Sequence, residues 1–249
     1  MKAKARYTAT IVTSLSLVFS ACTFAQSAHW SYEGEEGPSH WGSLNEDFAM
    51  CATGQHQSPI DISAATSTTQ APLTFDYKVG GYEMINNGHS LQVNYEPGST
   101  LTVGDHQYEL KQFHFHAPSE NTINGEQFPL EAHFVHQDAD GNYAVVAVMY
   151  KDGEPKEGLK SVWQTELPEI YEKETYQNPI DANSLLPENL TNYQFIGSLT
   201  TPPCSEDVQW IVLKEANYTN LDMIHAFGDV VHLPNNRPVQ PLNDRTISQ

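Results

Sequence analysis

The amino-acid sequence predicts a single mostly-β domain, residues 28–249, that follows a short N-terminal leader, residues 1–27. Three observations support this prediction. Short runs rich in Val, Phe, Tyr and Ile alternate with turn-forming Gly, Asn, Asp and Pro, and stretches with helical periodicity are few. No internal repeat or low-complexity linker divides the 249-residue chain.

Six runs have the length and composition of β-strands, and turn signals such as NNG (86–88), NG (124–125) and DADG (138–141) separate several of them. The run YAVVAVMY is continuously apolar, so we expect it at the centre of a sheet, with both faces buried. The six runs are SLQVNY (90–95), YELKQFHFHA (108–117), LEAHFVHQ (130–137), YAVVAVMY (143–150), YQFIGSLT (193–200) and VQWIVLKE (208–215).

Two segments have a helical pattern. EGLKSVWQTEL (157–167) ends directly before Pro168, and NLDMIHAFGD (220–229) ends shortly before Pro234. Because proline cannot continue a helix, both segments are expected to form short helices at the periphery of the sheet.

The leader has the features of a secretory signal peptide. Basic residues precede a short apolar stretch, and small residues near positions 25–28 suit cleavage. The apolar stretch is too short to span a bilayer comfortably, so no transmembrane segment is expected. The alternative is lipid anchoring at Cys22, because LVFSAC loosely resembles a bacterial lipoprotein box. The leader therefore predicts a periplasmic or secreted protein.

The chain is strongly acidic, with a formal net charge of −19. Removing the leader takes away Lys2, Lys4 and Arg6 and no acidic residue, so the charge of the remaining domain is about −22. Such a surface repels nucleic acid and anionic membranes and favours solubility. Composition thus argues against a nucleic-acid-binding protein.

Two cysteines remain once the leader and Cys22 are removed, Cys51 and Cys204. An even pair in an exported chain predicts a disulfide bond between them. The alternative is a pair of buried free thiols.

The stretch KQFHFHAPSE (111–120) alternates phenylalanine and histidine. Successive side chains of a β-strand point to opposite faces, so Phe113 and Phe115 can enter a core while His114 and His116 stand side by side on the other face. One interpretation is an ordinary half-buried strand with polar residues outside. The other is a metal site, because two neutral imidazoles on one face can bind zinc.

The next strand-like run, LEAHFVHQ, provides a third candidate ligand, His133. Gln112 and Glu131 each lie two residues before a candidate ligand, on the same strand face. Either can accept the outer N–H of that imidazole and fix its tautomer. Three histidines would leave the fourth zinc position to water, as in catalytic zinc sites. Imidazole ligands also suit cobalt or iron.

These motifs resemble the α-class carbonic anhydrases, and the resemblance runs through the chain after the leader. The matching segments are WSYEGEEGPSHW (30–41), QSPIDI (57–62), NNGHSLQV (86–93), QFHFHAPSE (112–120), EAHFVH (131–136), GSLTTPP (197–203), VQWIVLKE (208–215) and NNRPVQPLNDR (235–245). The leader and the cysteine pair resemble the exported bacterial members. The resemblance implies one domain with a wide, largely antiparallel central sheet and short peripheral helices.

The activity that the resemblance implies is reversible hydration of CO2 to bicarbonate and a proton by a zinc-bound hydroxide. Zn2+ would be held by His114, His116 and His133, and Thr200 backed by Glu120 would orient the hydroxide. Apolar residues beside the metal would form a dry wall for CO2, and Thr201 would lie near bicarbonate. The implied wall residues are Val135, Val145, Leu199, Val208 and Trp210.

Turnover also requires a proton to leave the site. The resemblance implies that His89 carries it, with Tyr32, Asn87 and Gln92 lining a chain of water molecules. An ordinary histidine pKa near 6.5 would suit this transfer.

The resemblance further implies inhibition by sulfonamides and anions, and it allows a homodimer. The rival interpretation is a catalytically inactive, zinc-containing binding or adhesion relative. Such relatives typically lose a ligand histidine, whereas this chain keeps all three.

Overall fold

The structure is a computed structural model that describes residues 29–63, 65–163 and 166–249. The leader predicted for residues 1–27, together with Cys22, lies outside the described residues. Within the described part of the chain, no helix is both long and apolar enough to cross a bilayer.

An eleven-stranded sheet forms the centre of the described structure. The thirteen described strands, of which all but β1 and β7 belong to this sheet, are β1 Asp61–Ile62, β2 Leu73–Asp76, β3 Val79–Asn86, β4 Leu91–Tyr95, β5 Thr100–Val103, β6 His106–His116, β7 Thr122–Ile123, β8 Leu130–Gln137, β9 Tyr143–Asp152, β10 Lys173–Asp181, β11 Asn192–Gly197, β12 Val208–Leu213 and β13 Asn217–Thr219. The main path is β10-β3-β4-β6-β8-β9-β12-β11. The two parallel pairs in the described sheet are β9 with β12 and β9 with β13, so the sheet is largely antiparallel as predicted.

Short helices lie around the sheet. They are α1 Trp41–Leu44, α2 Met50–Thr53, α3 Glu157–Val162 and α4 Leu221–Val230. The Asn220 side chain caps α4 by accepting the N–H of Met223 at 3.0 Å. The helix predicted over residues 157–167 is shorter than expected and ends at Val162. A separate pair of two-residue strands, β1 and β7, runs parallel.

Strand β9 is buried on both faces, as its apolar run predicts. Ala144, Val146 and Val148 belong to one hydrophobic cluster, and Val145 and Ala147 belong to the other. The sheet therefore separates two cores, and β9 contributes to each of them.

The register of β6 against β8 decides where the histidines lie. The strands are antiparallel, and His114 pairs directly with His133. Phe113 and Phe115 are fully buried in the core on the opposite face, so the alternation predicted from the sequence is confirmed.

The predicted strand 193–200 ends early, at Gly197. The N–H of Ser198 donates to the Ser58 hydroxyl at 3.1 Å, and that of Leu199 donates to the Ser205 carbonyl at 2.9 Å. Because these groups bond to other segments, residues 198–200 leave the sheet as a loop.

The predicted disulfide between Cys51 and Cys204 is present, with a Cα–Cα distance of 5.0 Å. It joins α2 to the loop that follows β11, and Trp41 packs in the same small cluster. The loop after β11 is therefore tied to the N-terminal part of the described chain.

Candidate active site

Three histidines from neighbouring strands meet on one face of the sheet. His114 and His116 lie on β6 and His133 lies on β8. One ring nitrogen of each lies within 4.8 Å of the others, and His116 and His133 are almost completely buried. Among the described residues this is the one cluster of His, Cys, Asp or Glu that could hold a metal ion.

Burial favours the neutral form of these imidazoles. Loss of hydration lowers the pKa of His114 and His133 well below 6.5, and the neighbouring imidazoles lower both further. Burial also lowers the pKa of His116, although its hydrogen bond to Asn235 and the charge of Glu131 oppose this shift. Neutral imidazole is the form that binds a metal.

Each histidine has a hydrogen-bond acceptor at its outer nitrogen, the ring nitrogen that points away from the other two histidines. His114 Nδ1 lies 2.8 Å from Gln112 Oε1, and His133 Nε2 lies 2.9 Å from Glu131 Oε1. His116 Nδ1 lies 2.7 Å from the Asn235 carbonyl oxygen. Because an acceptor takes the outer N–H, the inner nitrogen of each ring carries a lone pair.

The inner nitrogens fit a metal ion. His116 Nε2 is buried and has no hydrogen-bond partner among the described residues, a costly state for a polar atom. A metal ion would satisfy this nitrogen together with His114 Nε2 and His133 Nδ1. Three neutral imidazoles are a ligand set of catalytic zinc, and both described cysteines are already joined in the disulfide.

Glu131 is fully buried and surrounded by donors. Its Oε2 accepts the N–H groups of Glu120 and Asn121 at 2.7 and 2.9 Å, and its Oε1 accepts the Asn121 side-chain amide at 2.8 Å. Burial raises the pKa of this carboxyl, while its hydrogen bonds from Asn121 and Glu120 lower it. The carboxylate thereby holds His133 and the turn after β6 in one arrangement.

Glu120 and Thr200 lie beside the histidines. Glu120 Oε1 accepts the backbone N–H of Arg237 at 2.8 Å, and Oε2 lies 3.5 Å from His116 Nε2. Burial raises the pKa of Glu120 to about 8, and hydrogen bonding from Arg237 and from the Thr200 side chain opposes the rise. In the described part, however, Oε2 has no partner of good hydrogen-bond geometry, so any Thr200–Glu120 bond is long or poorly aligned.

A cavity of about 220 Å³ opens beside His114 and His133. Its remaining lining residues are Gln112, Val135, Tyr143, Val145, Leu199, Thr200, Thr201 and Trp210. Val208 is buried in the same hydrophobic cluster as Val145 but is not part of this lining. A larger cleft of about 640 Å³ lies along β10 and contains none of the predicted site residues.

His89 lies outside this cavity lining and stacks on an aromatic ring. Its imidazole lies 3.6 Å from the Trp30 ring, centroid to centroid, with the planes inclined by 8°. Burial, and then the charge of His29, lower the pKa of His89 to about 4. The sequence-based expectation assumed a pKa near 6.5, and the stacking explains the difference because it removes water from the ring.

The three residues predicted to line a water chain make different kinds of contact. The Tyr32 hydroxyl is buried with no partner among the described residues, and burial raises its pKa. Asn87 Oδ1 accepts the backbone N–H of His89 at 2.9 Å, so its side chain shapes the turn. Gln92 pairs with His114 across the sheet, and its amide donates to Asn94 Oδ1 at 2.7 Å.

Four residues near the site were not predicted from the sequence. Asn235 contacts His116 through its backbone carbonyl, which every residue possesses, so its side-chain type gives no sign of that contact. Arg237 and Trp30 lie in segments that carry the family resemblance, but the residues alone give no reason to assign them contacts at the site. Tyr143 lies at the start of an apolar strand, and its sequence context predicts only a place in that strand.

Comparison with known proteins identifies the family. Residues 36–249 match the model of the eukaryotic-type carbonic anhydrase family. A carbonic anhydrase of Pectobacterium carotovorum is 46% identical over 237 residues, which cover 94% of this chain and 97% of the relative. A carbonic anhydrase of Neisseria gonorrhoeae is also 46% identical, over 92% of this chain and 91% of its own length.

Solved structures agree with this result. The α-carbonic anhydrase of Thermovibrio ammonificans, in complex with the inhibitor sulfanilamide, is 44% identical and superposes with a TM-score of 0.87. The match covers 90% of this chain and all of that one. The chain belongs to the eukaryotic-type, or α-class, carbonic anhydrase family.

Proposed function

We propose that this chain is a zinc-dependent carbonic anhydrase that catalyses the reversible hydration of CO2 to bicarbonate and a proton. The observation that carries the proposal is the convergence of three neutral imidazoles, two buried and one half-buried, whose outer nitrogens all have a hydrogen-bond acceptor. Their inner nitrogens face one another beside a small cavity. Family membership supports the reaction.

His114, His116 and His133 would hold the zinc ion. When bound, zinc supplies a Lewis acid that lowers the pKa of its bound water, to about 7 in carbonic anhydrases, a value known for the family rather than obtained from this structure. Because all three ligands are neutral, none of them cancels the positive charge of the metal.

The cavity wall would select and hold CO2. Val135, Val145, Leu199 and Trp210 present an apolar surface beside His133, and the cavity is small. An apolar wall excludes ordered water and favours an uncharged, weakly polar substrate over its charged product. Val208 would support this wall from within the hydrophobic cluster, and Thr201 would lie near bicarbonate.

Thr200 and Glu120 would orient the attacking water oxygen. A hydroxyl whose own proton is committed to a carboxylate can only accept from a second partner through its lone pairs. When Glu120 is ionised, a form that the charge of a bound zinc ion would favour, Thr200 would donate to it, and the threonine oxygen would accept a hydrogen from the reacting water and fix the direction of that water's lone pair. The N–H of Arg237 holds Glu120 for this contact.

His89 would pass the released proton to solvent, through water lined by Tyr32, Asn87 and Gln92. While the imidazole is stacked on Trp30, its pKa of about 4 makes it a weak proton acceptor. Turning away from Trp30 would rehydrate the ring and return its pKa toward about 6.5. We propose that the imidazole accepts the proton from that more exposed position.

The setting of the protein is also proposed. A signal peptide over residues 1–27 would deliver the domain to the periplasm or the exterior, and the Cys51–Cys204 disulfide is consistent with such an oxidising compartment. Sulfonamide anions would bind at the zinc, and the complex of the Thermovibrio ammonificans relative with the inhibitor sulfanilamide supports this expectation. A homodimer is allowed by family membership.

The test is removal and return of the metal. The purified protein, stripped of zinc with a chelator, should lose CO2 hydration and regain it with one equivalent of zinc per chain. Sulfanilamide should then abolish the activity. Zinc uptake without any hydration above the buffer rate would instead favour the inactive binding relative.

A further inference from the structure

We propose that Arg237 is a positioning residue for the active site: its guanidinium anchors the segment 235–237, which in turn holds His116 and Glu120. This inference deepens the function proposed above and rests on it. Arg237 belongs to the segment NNRPVQPLNDR, whose side chains the proposed reaction leaves without a role.

The guanidinium sits in a site built for it. Arg237 is 2% exposed. Its Nη1 donates to Gln57 Oε1 and the Ser58 carbonyl at 2.9 and 2.8 Å, and its Nη2 donates to the Cys51 carbonyl at 3.0 Å. The Trp41 ring lies 5.6 Å from it. Burying a cation is costly unless its donors meet acceptors. Here Nη1 and Nη2 do so, whereas Nε has no partner among the described residues. The three bonds from the planar group hold it in one orientation.

The backbone beside this anchor bonds directly to site residues. The N–H of Arg237 donates to Glu120 Oε1 at 2.8 Å. Two residues earlier, the carbonyl of Asn235 accepts from His116 Nδ1 at 2.7 Å, and its side-chain amide donates to the His89 carbonyl at 3.0 Å. One short segment therefore contacts His116, Glu120 and the turn that carries His89.

A second branch of the network reaches the Thr200 loop. Gln57, which accepts from Arg237, donates through Nε2 to the carbonyl of Cys204 at 3.0 Å. The N–H of Cys204 donates to the carbonyl of Thr201 at 2.9 Å, which forms a turn. The guanidinium thus holds Cys51 directly and its disulfide partner Cys204 through Gln57.

A merely structural arginine would make similar contacts without affecting the chemistry, and the chain offers one for comparison. Arg245 donates to the backbone carbonyls of Leu242, Pro241 and Ile196 at 3.0, 2.7 and 3.3 Å. None of these three residues belongs to the histidine cluster or lines the 220 Å³ cavity. Arg245→Met is therefore the matched control.

The experiment compares Arg237→Met, Arg237→Lys and Arg245→Met with the unmodified protein. We expect kcat and kcat/KM for CO2, per zinc-loaded molecule, to fall together by about 10–100-fold in Arg237→Met, because small displacements of orienting groups have effects of this size. Arg237→Lys, which keeps the charge but loses the planar donor geometry, should fall by about threefold to tenfold. Arg245→Met should stay within about twofold of the unmodified protein.

A second readout needs no activity. Amide hydrogen exchange of residue 237 in the zinc-free protein should speed up by about tenfold or more in Arg237→Lys and stay unchanged in Arg245→Met. Unchanged exchange, or a kcat/KM within twofold of the unmodified value in the Arg237→Lys variant, would overturn the proposal. Should Arg237→Met fail to fold, Arg237→Lys alone decides by both readouts. Absence of hydration in the unmodified protein would instead contradict the proposed function, and the exchange rates would still decide whether Arg237 anchors this segment.

Discussion

Replacing Glu131 with glutamine is predicted to weaken both the fold and the binding of zinc, because every partner of this carboxylate is a donor. One oxygen accepts two backbone N–H groups, and the other accepts the Asn121 amide and faces the outer nitrogen of His133. A glutamine amide has a single oxygen. Whichever way it turns, its NH2 group meets two donors, so two hydrogen bonds are lost.

The size of the effect follows from those two bonds. Each hydrogen bond to a charged group contributes about 1.5–3 kcal/mol, so the free energy of unfolding of the zinc-free protein should fall by about 3–6 kcal/mol. Loss of the acceptor behind His133 should weaken zinc binding by about 10–100-fold. Denaturant unfolding measures the first quantity, and competition with a chromophoric chelator measures the second.

The matched control is Glu126→Gln, which alters an exposed glutamate on the connection between the same two histidine strands. Its stability should stay within about 0.5 kcal/mol of the unmodified protein, with no change in zinc affinity. A Glu131→Gln variant as stable as the control, with unchanged zinc affinity, would refute the reasoning from donor count.

Three further predictions concern other parts of the molecule. Cys204→Ser removes a disulfide whose cysteines are 153 residues apart. In the chain-entropy picture this lowers the free energy of unfolding by up to about 5 kcal/mol. Specific activity should fall by more than the folded fraction does, because the loop that carries Thr200 loses its covalent tie. His89→Ala should lower kcat in dilute buffer and recover with added imidazole. His136 is buried and has a pKa of about 4 in the fold. Its contribution to the free energy of unfolding should therefore be fully present above pH 6.5 and should fall by about 3 kcal/mol as the pH drops to 4. This loss should be smaller in His136→Gln.

Each of these predictions has a clear contrary result. Activity of Cys204→Ser that tracks the folded fraction, measured by circular dichroism, would mean that the disulfide contributes stability alone. A His89→Ala defect that no buffer restores would remove His89 from proton transfer. Urea unfolding curves of His136→Gln that shift with pH as much as those of the unmodified protein would assign the acid sensitivity to other groups.

The sequence predicted the cluster of three histidines because strand periodicity is a local property. The alternation in residues 113–116 and 131–133 determines which side chains share a face of the sheet. Antiparallel pairing then places the histidines of the two strands next to each other on that face. Strand β8 was predicted with the bounds that the structure shows, residues 130–137. The contacts of Gln112 and Glu131 likewise follow from a spacing of two residues along a strand.

Other features depend on contacts between distant segments and were missed. Strand β10 is polar and contains Pro179, and it pairs at the edge of the sheet, where hydrophobic alternation is weak. Strand β3 contains two glycines, which interrupt its hydrophobic alternation, so this strand was not predicted either. The burial of Arg237 and the stacking of His89 on Trp30 arise only when residues far apart in sequence meet, so composition and periodicity carry no sign of them.

The most direct test of the proposed function is stopped-flow CO2 hydration by the purified domain, measured together with its zinc content and compared with His114→Ala. Fast hydration with about one zinc per chain, lost in the variant together with tight zinc binding, is the predicted result. Hydration that persists in His114→Ala, or one bound zinc with no hydration in the unmodified protein, would contradict the assignment of the three histidines as a catalytic zinc site.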